Sequence, residues 1–503
     1  MKKSMMALLI CVVFIFATAA ASFAAMGEGS VSTSKGVDIT LFGSNRIIPS
    51  YYRNFDFDDD SKDAAILTEG GFGAGFFVRN EFRMGWKGVG QDGKWGFKFI
   101  LEDDIHMSKA NTDRNTYGHE GLGGSDYGSE FSVERSNFWY KFGPVKFSVG
   151  WDVKFLDIKT GGLVYGDDHP FMALTGGNKT LNWDLTMMLV NDTDDLHDAG
   201  VITGNAPNDY DWYVYYGKLN YTFCAGDNAK FTVSPFIAFS DMGSAACKDG
   251  VDSDAWYSGL EGHGNIGIFK PSFEIAYAGG EMNDAYDHYG PNEDDVDIDA
   301  WAAFAGLTLA LSQEFNPYVT CTWQQGDDDP LDDDAEGFVG ITNIARYTPY
   351  GMDGSILYEH FGGGAGFGAP LYALSTERST KGYNYGGIGG AGSGNNPGLL
   401  FLAAGAKGKI QKASYNIRVC YLEYDEEDSL LEANGLSGSI DDEIGWTIDG
   451  QLKYSFSPNF YTSLTASYFV VGDGIEDFNE AMYGPDYDDE DAILTALELG
   501  WKW

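Results

Sequence analysis

The sequence predicts an all-β fold: a transmembrane, up-and-down antiparallel barrel of about 16–18 strands. Three observations predict it. Apolar and polar residues alternate two by two, the alternating segments run about 9 to 13 residues, and the connections alternate between short and long.

The stretch "FRMGWKGVGQDGKWGFKFILEDD" from Phe82 to Asp104 sets the pattern. Phe82, Met84 and Trp86 alternate with Arg83, Gly85 and Lys87; a Gln-Asp-Gly-Lys turn follows, and then Trp95, Phe97, Phe99 and Leu101 alternate with Gly96, Lys98, Ile100 and Glu102. Successive strand side chains point to opposite faces, so this is a hairpin with one apolar and one charged face. "SNFWYKFGPVKFSVGWDVK" repeats it around a Gly-Pro turn, and "IGWTIDGQLKYSF" repeats it near the end. Segments of about 9–11 residues suit a tilted strand crossing a bilayer, whereas soluble strands average about 5–6.

Short connections fall at 91–94, 143–144, 176–179, 225–228, 269–270, 315–316, 411–412 and 457–459. Between them lie Asp- and Gly-rich ones, near 55–65, 107–128, 157–169, 193–209, 243–253, 282–297, 327–397, 426–441 and 474–490. Eight short turns and nine long loops give 18 strands, the preferred number; 16 holds if a weak segment such as 170–176 is over-read. The 327–397 stretch is long enough to hide a further hairpin. In "DAILTALELGWKW", Ile493, Leu497, Leu499, Trp501 and Trp503 share one face, so the final strand ends on an aromatic residue.

Residues 1–24 read as a secretory signal peptide: Lys2 and Lys3, an apolar run, then Ser22-Phe23-Ala24. Residues 25–503 form a single barrel domain with no further run of the ~20 apolar residues a membrane helix needs. The chain carries 75 acidic and 32 basic residues; without Lys2 and Lys3 the balance is 30 against 75, near −45, which argues against nucleic acid as a partner. The mature chain's four cysteines have no metal spacing, and its seven histidines are scattered. The glycines at 387–392 fit a dinucleotide pattern but sit in a Gly/Asn/Ser loop without a strand before it or a helix after it. No enzyme, metal centre or cofactor is expected.

On these residues the chain resembles Gram-negative outer-membrane porins. "FRMGWKGVGQDGKWGFKFILEDD" and "VERSNFWYKFGPVKFSVGWDV" look like the second to fifth strands of a general porin, over about 75 residues. The terminal strand ending in Trp503 looks like the signal read by the barrel-assembly machinery. A second similarity, through "IGWTIDGQLKYSFSPNFYTSLTASYFVVGDGI", is to the alginate-export type of 18-stranded channel. The porin resemblance implies a homotrimer and a third long loop folded into the barrel, with acidic loop residues facing basic wall residues. Here the matching loop "LDIKTGGLVYGDDH" carries Asp157, Asp167 and Asp168. Alternation sends Arg79, Glu81, Arg83 and Lys87 inward on the second strand, Lys98 and Glu102 on the third, and Arg135 and Lys141 on the fourth. These residues are the expected constriction.

A barrel of 16–18 strands leaves an aqueous channel. The expected function is passive diffusion of small hydrophilic solutes and ions, with cations preferred because acid is in excess. A substrate-specific channel, for instance for oligosaccharides, and a secreted β-rich binding protein stay open as alternatives. Asp295, Asp297 and Asp299 share parity with Trp301 and belong on the outer face above the membrane belt. There divalent cations could link them to lipopolysaccharide phosphates.

Overall fold

A computed structural model describes residues 29–32, 36–53, 75–106, 132–157, 159–191, 212–224, 226, 228–243, 252–283, 295–329, 332, 334–343, 352, 355–357, 396–433, 435–485 and 490–503. The leader at 1–24, the acidic run at 58–60, Cys247 and the glycine motif at 387–392 lie outside the described residues.

Two-residue turns stitch consecutive strands together. Gly143 adopts φ +62° between Phe142 and Val145, and Gly267 adopts φ +60° between Ile266 and Phe269. In both, a left-handed residue matches the twist of the strands it joins. The resulting strands are β1 Val37–Arg53, β2 Gly75–Gly90, β3 Trp95–His106, β4 Ser132–Phe142, β5 Val145–Phe155, β6 Tyr165–Gly177, β7 Leu181–Asn191, β8 Trp212–Cys224 and β9 Ala229–Met242. They continue as β10 Asp252–Ile266, β11 Phe269–Asn283, β12 Asp295–Leu309, β13 Asn316–Gln324, β14 Leu399–Ile410, β15 Ala413–Glu423, β16 Glu443–Ser455, β17 Phe460–Val471 and β18 Ala492–Lys502. Each pairs antiparallel with the next, and β18 pairs with β1, closing an 18-strand barrel. Two elements meet expectation less closely. The turn read at 269–270 lies two residues earlier, on Gly267-Ile268, and the one at 315–316 widens to 310–315, where Ser312 Oγ accepts from the amides of Glu314 and Phe315. Segment 170–176 is part of β6, which decides for 18 strands over 16.

Closure happens where the aromatic terminus meets a glycine. Gly43 and Trp503 exchange both backbone hydrogen bonds at 3.0 Å, and the Trp503 ring covers Gly43 so closely that a Cβ there would sit 2.4 Å from it. Trp503 also packs on Phe82 with ring centroids 5.6 Å apart. The β1–β18 register runs from Ser44 to Ile47 and resumes at Ser50, leaving out Ile48 and Pro49. Beyond the end of β18, the short strand Gly29–Ser32 covers the same edge of β1.

The outer face is apolar. Leu185, Ile237, Trp256, Val319, Ile417 and Ile448 lie there 50–56 % exposed, a belt that water would not tolerate but hydrocarbon would. Aromatic pairs flank it: Phe239 with Trp256, Tyr277 with Trp301 and Tyr421 with Trp446 toward the loop end, Phe231 with Phe273 and Tyr454 with Phe456 toward the turn end. These are the two interfacial girdles of a transmembrane barrel. The spanning strands pair edge to edge in one closed sheet, the arrangement of a transmembrane barrel.

Inside, the wall has two halves. On β9–β12 the inward residues include Ala238, Ala255, Ala276, Ala278, Ala300 and Ala302. These small side chains make room for chain folded in from two loops. Leu163 and Val164 come from the loop between β5 and β6; Phe338, Val339 and Ile341 come from the loop after β13, and all five are buried. Each buries apolar surface worth on the order of 1.5–3 kcal/mol. The insertions are tied to one another and to the wall: Ile341 N donates to Val164 O at 2.8 Å, and Tyr257 Oη donates to Val339 O at 2.9 Å. Near β15–β17, residues 355–357 fold inward as well, and Ile356 N donates to Ser467 Oγ at 3.0 Å. Two helices, α1 Ser429–Ala433 and α2 Asp473–Tyr483, cap this side at the loop end, with Ile475 and Phe478 buried.

Candidate functional site

The other half of the lumen, from β18 through β1 to β5, is charged. Arg46 on β1 stands opposite Glu81 on β2, and its Nε donates to Glu81 Oε1 at 2.9 Å. Arg83 stands opposite Glu102 on β3, with Nη2 2.8 Å from Glu102 Oε1, 3.2 Å from Glu134 Oε1, and Nη1 3.8 Å from Glu81 Oε1. Arg79 reaches Glu81 at 3.7 Å, and Arg46 also reaches Glu498 of β18 at 3.8 Å. The series continues through Arg135, 3.1 Å from Glu134 and 3.6 Å from Asp152, to Lys98, 2.6 Å from Asp152. Cations and carboxylates alternate without a break across six strands.

The layering decides what a solute meets. Glu81 and Glu102 are 2 % exposed, whereas Arg83 is 27 % and Arg79 22 % exposed. The carboxylates lie beneath, against the wall, and the guanidiniums face the water. Arg46, Arg83 and Arg135 are held by charge-assisted bonds to fixed acids, which set the orientation of each guanidinium.

A β-bulge completes the series. Ile100 pairs with Arg135 but Leu101 pairs with Val133, so Glu134 is the extra residue. Adjacent residues normally face opposite sides; the bulge turns both Glu134 and Arg135 into the lumen.

Toward the turn end the lumen holds a recess of about 590 Å³ whose lining includes Lys87, Lys98, Lys146 and Lys154, with Asp38 and Asp152 as its acids. Lys154 Nζ lies 3.8 Å above the Phe171 ring, a cation–π contact that fixes its head inside the barrel.

The expected constriction residues take different places, with Lys87 lining the recess just described. Arg79, Glu81, Arg83, Lys98, Glu102 and Arg135 come together in the ionic series. Lys141 stands apart near the turn end, its Nζ 5.1 Å above the Trp139 ring. Asp167 and Asp168 are strand residues of β6, opposite Lys154 and Val153, and not part of the infolded loop. Asp157 is in that loop but fully buried, and it accepts from Val164 N at 2.7 Å and Tyr165 N at 3.4 Å instead of facing the arginines. The acids that oppose the arginines come from the wall itself. Asp152 shares the inward parity of Lys146 and Ser148, a signal present in the sequence. Glu134 had none, because a bulge leaves no mark on the alternation.

The infolded loop has its own polar anchor on the opposite wall. Thr160 Oγ1 lies 2.6 Å from Glu274 Oε2 and 2.9 Å from Glu261 Oε2, and Gly161 N donates to Glu274 Oε2 at 2.7 Å. Lys218 Nζ is 2.5 Å from Glu261 Oε1 and also donates to Leu156 O. Burial pushes the Asp157 carboxyl above its ordinary value; its contact with Glu274, the Val164 amide and Lys218 pull the other way.

On the outside, Asp295, Asp297 and Asp299 are exposed on β12, where Asp297 pairs with Glu281 and Glu281 with Asp254. Cys224, Cys321 and Cys420 are free thiols.

No protein-family model matches the chain, and no curated protein matches it. Among solved structures it is similar to three Pseudomonas aeruginosa proteins. One is OccK11 (OpdR), 12 % identical, with a TM-score of 0.48 over 95 % of this chain and 98 % of that one. The second is OccK8 (OprE), 10 % identical with a TM-score of 0.49 over 94 % and 99 %. The third is the outer membrane protein opdK, 9 % identical with a TM-score of 0.47 over 92 % and 98 %.

Proposed function

We propose that the chain forms a water-filled channel through which small hydrophilic solutes and ions diffuse across the outer membrane. The observation that carries this is the two-sided lumen: infolded loops close one half, and a hydrated ionic wall lines the other. The ten groups of the ionic series, Arg46, Arg79, Arg83, Arg135 and Lys98 against Glu81, Glu102, Glu134, Asp152 and Glu498, cancel in charge. Ionic preference then falls to the acidic loops at the mouth, which favour cations. The test is the reversal potential of the refolded mature protein in a potassium chloride gradient across a planar bilayer. A cation-selective value supports the reading, and an anion-selective one rejects the mouth as the filter.

The lysine-rich recess favours a second reading, a channel with a binding step for a small anionic solute. Concentration-dependent block of the chloride current by such a solute, relieved in Lys146→Ala, separates it from free diffusion. The same proposal places the Asp295, Asp297 and Asp299 face against lipopolysaccharide, through divalent cations, and takes the working unit as a trimer.

A further inference from the structure

Beyond the ionic wall, one group of acids stands where the chain leaves the barrel and turns into the lumen. After β13 the chain is tied across residues 325 and 338: Gln325 N donates to Trp301 O at 2.9 Å, and Phe338 N donates to Gln325 O at 2.8 Å. Asp327 and Asp328 lie on the outgoing arm and Glu336 on the returning arm. One carboxylate oxygen from each lies within 4.8 Å of the other two. That spacing matches oxygens arranged around one ion at about 2.3–2.6 Å.

Asp327 is the unusual member. It is only 1 % exposed, and its Oδ2 has no hydrogen-bond partner among the described residues. Its other oxygen accepts from Asp329 N at 3.2 Å. A buried carboxylate oxygen without a partner is costly, and an ion is one of the groups that can satisfy it. The charges that reach it are those of Asp332, Glu336 and Asp328, all acids. The neighbouring Asp425 offers no relief, since it accepts from Trp323 Nε1 at 2.7 Å and from Gly326 N at 2.9 Å.

We infer that Asp327, Asp328 and Glu336 form a binding site for a hard divalent cation of the calcium class. The ion would bridge the two arms of the 325–338 loop. The two arms rest on different supports: Asp327 N donates to Asn396 O at 2.9 Å just before β14, while Asp334 and Ala335 pair with Asp297 and Ile298 of β12. The returning arm continues directly into Phe338, Val339 and Ile341, the residues packed inside the barrel. Cation binding therefore fixes the entry point of a lumenal insertion, at a distance from the ionic wall that lines the open half.

The test is calcium titration, by isothermal calorimetry, of the full mature protein refolded in detergent after chelator treatment. One saturable site is expected in the wild type. Asp327→Asn and Glu336→Gln should each weaken it by at least about tenfold, because each removes one charged ligand from a small set. The triple variant Asp473→Asn, Glu476→Gln, Glu480→Gln, on the exposed face of α2, should bind as the wild type does, which separates the site from general acidity. Asp328→Asn, on the exposed side of the cluster, serves if a buried substitution prevents folding. Amide hydrogen exchange at 338–341 should slow on adding calcium in the wild type and stay unchanged in Asp327→Asn. No saturable binding in the wild type, or binding that survives all three single variants, overturns the inference.

Discussion

Arg83 and Glu102 stand directly opposite each other on β2 and β3, and the guanidinium reaches the carboxylate at 2.8 Å through both Nε and Nη2. Because Glu102 is buried and Arg83 half-open, removal of the arginine takes a counter-charge from three wall acids at once: Glu102, Glu81, which keeps Arg46 and Arg79, and Glu134, which keeps Arg135. Breaking such a pair from one side costs about 3–5 kcal/mol where the remaining charge stays buried, and partial exposure of Arg83 places the expectation near the lower figure. Arg83→Met should lower the thermal transition of the detergent-solubilised barrel. In bilayers it should move the reversal potential toward cations, since a guanidinium leaves the water-facing layer. An unchanged reversal potential would show that this wall does not meet the permeating ions.

Arg418 and Asp449 form a second pair, 2.7 Å apart and 4 % and 0 % exposed. Asp449 also accepts from Ser467 Oγ at 2.5 Å, and Arg418 reaches Ser355 Oγ at 3.4 Å. Arg418→Leu should cost about 3–5 kcal/mol. It should also release the 355–357 insertion, seen as faster cleavage there by an added protease. Asp449→Asn, which keeps shape and hydrogen bonding, should cost less than Arg418→Leu.

The β5–β6 loop admits no side chain at Gly161. A Cβ there would lie 2.7 Å from Phe304 Cβ and 2.9 Å from Leu163 Cγ. Gly161→Val should disfavour docking by about 1–3 kcal/mol, the usual cost of overpacking. Single-channel conductance should rise as the loop leaves the lumen. Equal conductance in wild type and variant would mean that the loop does not limit the pore.

The same loop carries a pH response through Asp157, which faces Glu274, Glu261 and Lys218. Docking raises its carboxyl pKa, so the docked form holds the proton more tightly than the undocked form. The contribution to docking is fully present below the ordinary carboxyl value of 3.8 and is lost as pH rises from there through the docked value. Conductance noise from loop motion should therefore grow with rising pH and should lose that dependence in Asp157→Asn. Noise that grows on acidification would reverse the assignment.

Much of the barrel was legible because lipid and water impose a strict two-residue alternation, as at Phe82–Trp86 and Trp95–Leu101. Six of the expected constriction residues join one network for the same reason: parity alone places Arg79, Glu81, Arg83, Lys98, Glu102 and Arg135 on the inner face. What alternation cannot report is the distance between a loop and the wall. The alanines at 276, 278, 300 and 302 read as a bland inner face; their smallness is the imprint of Phe338 and Val339 packed over them. Asp157 turns away from the arginines because the groups it faces, Glu274 and Glu261, lie across the lumen and more than a hundred residues along the chain, where alternation gives no sign of them. Asp167 and Asp168 were assigned to the loop because β6 begins at Tyr165, earlier than its polar opening suggests.

Pro49 gives the seam between Gly43 and Trp503 a further meaning. Proline has no amide hydrogen to donate, and the β1–β18 register skips Ile48 and Pro49. All other joints in the barrel link strands consecutive in the sequence, but this one must wait for an encounter between the two strands farthest apart. The cylinder thus has a fault line. As the joint of greatest sequence separation it should be the last to shut during insertion.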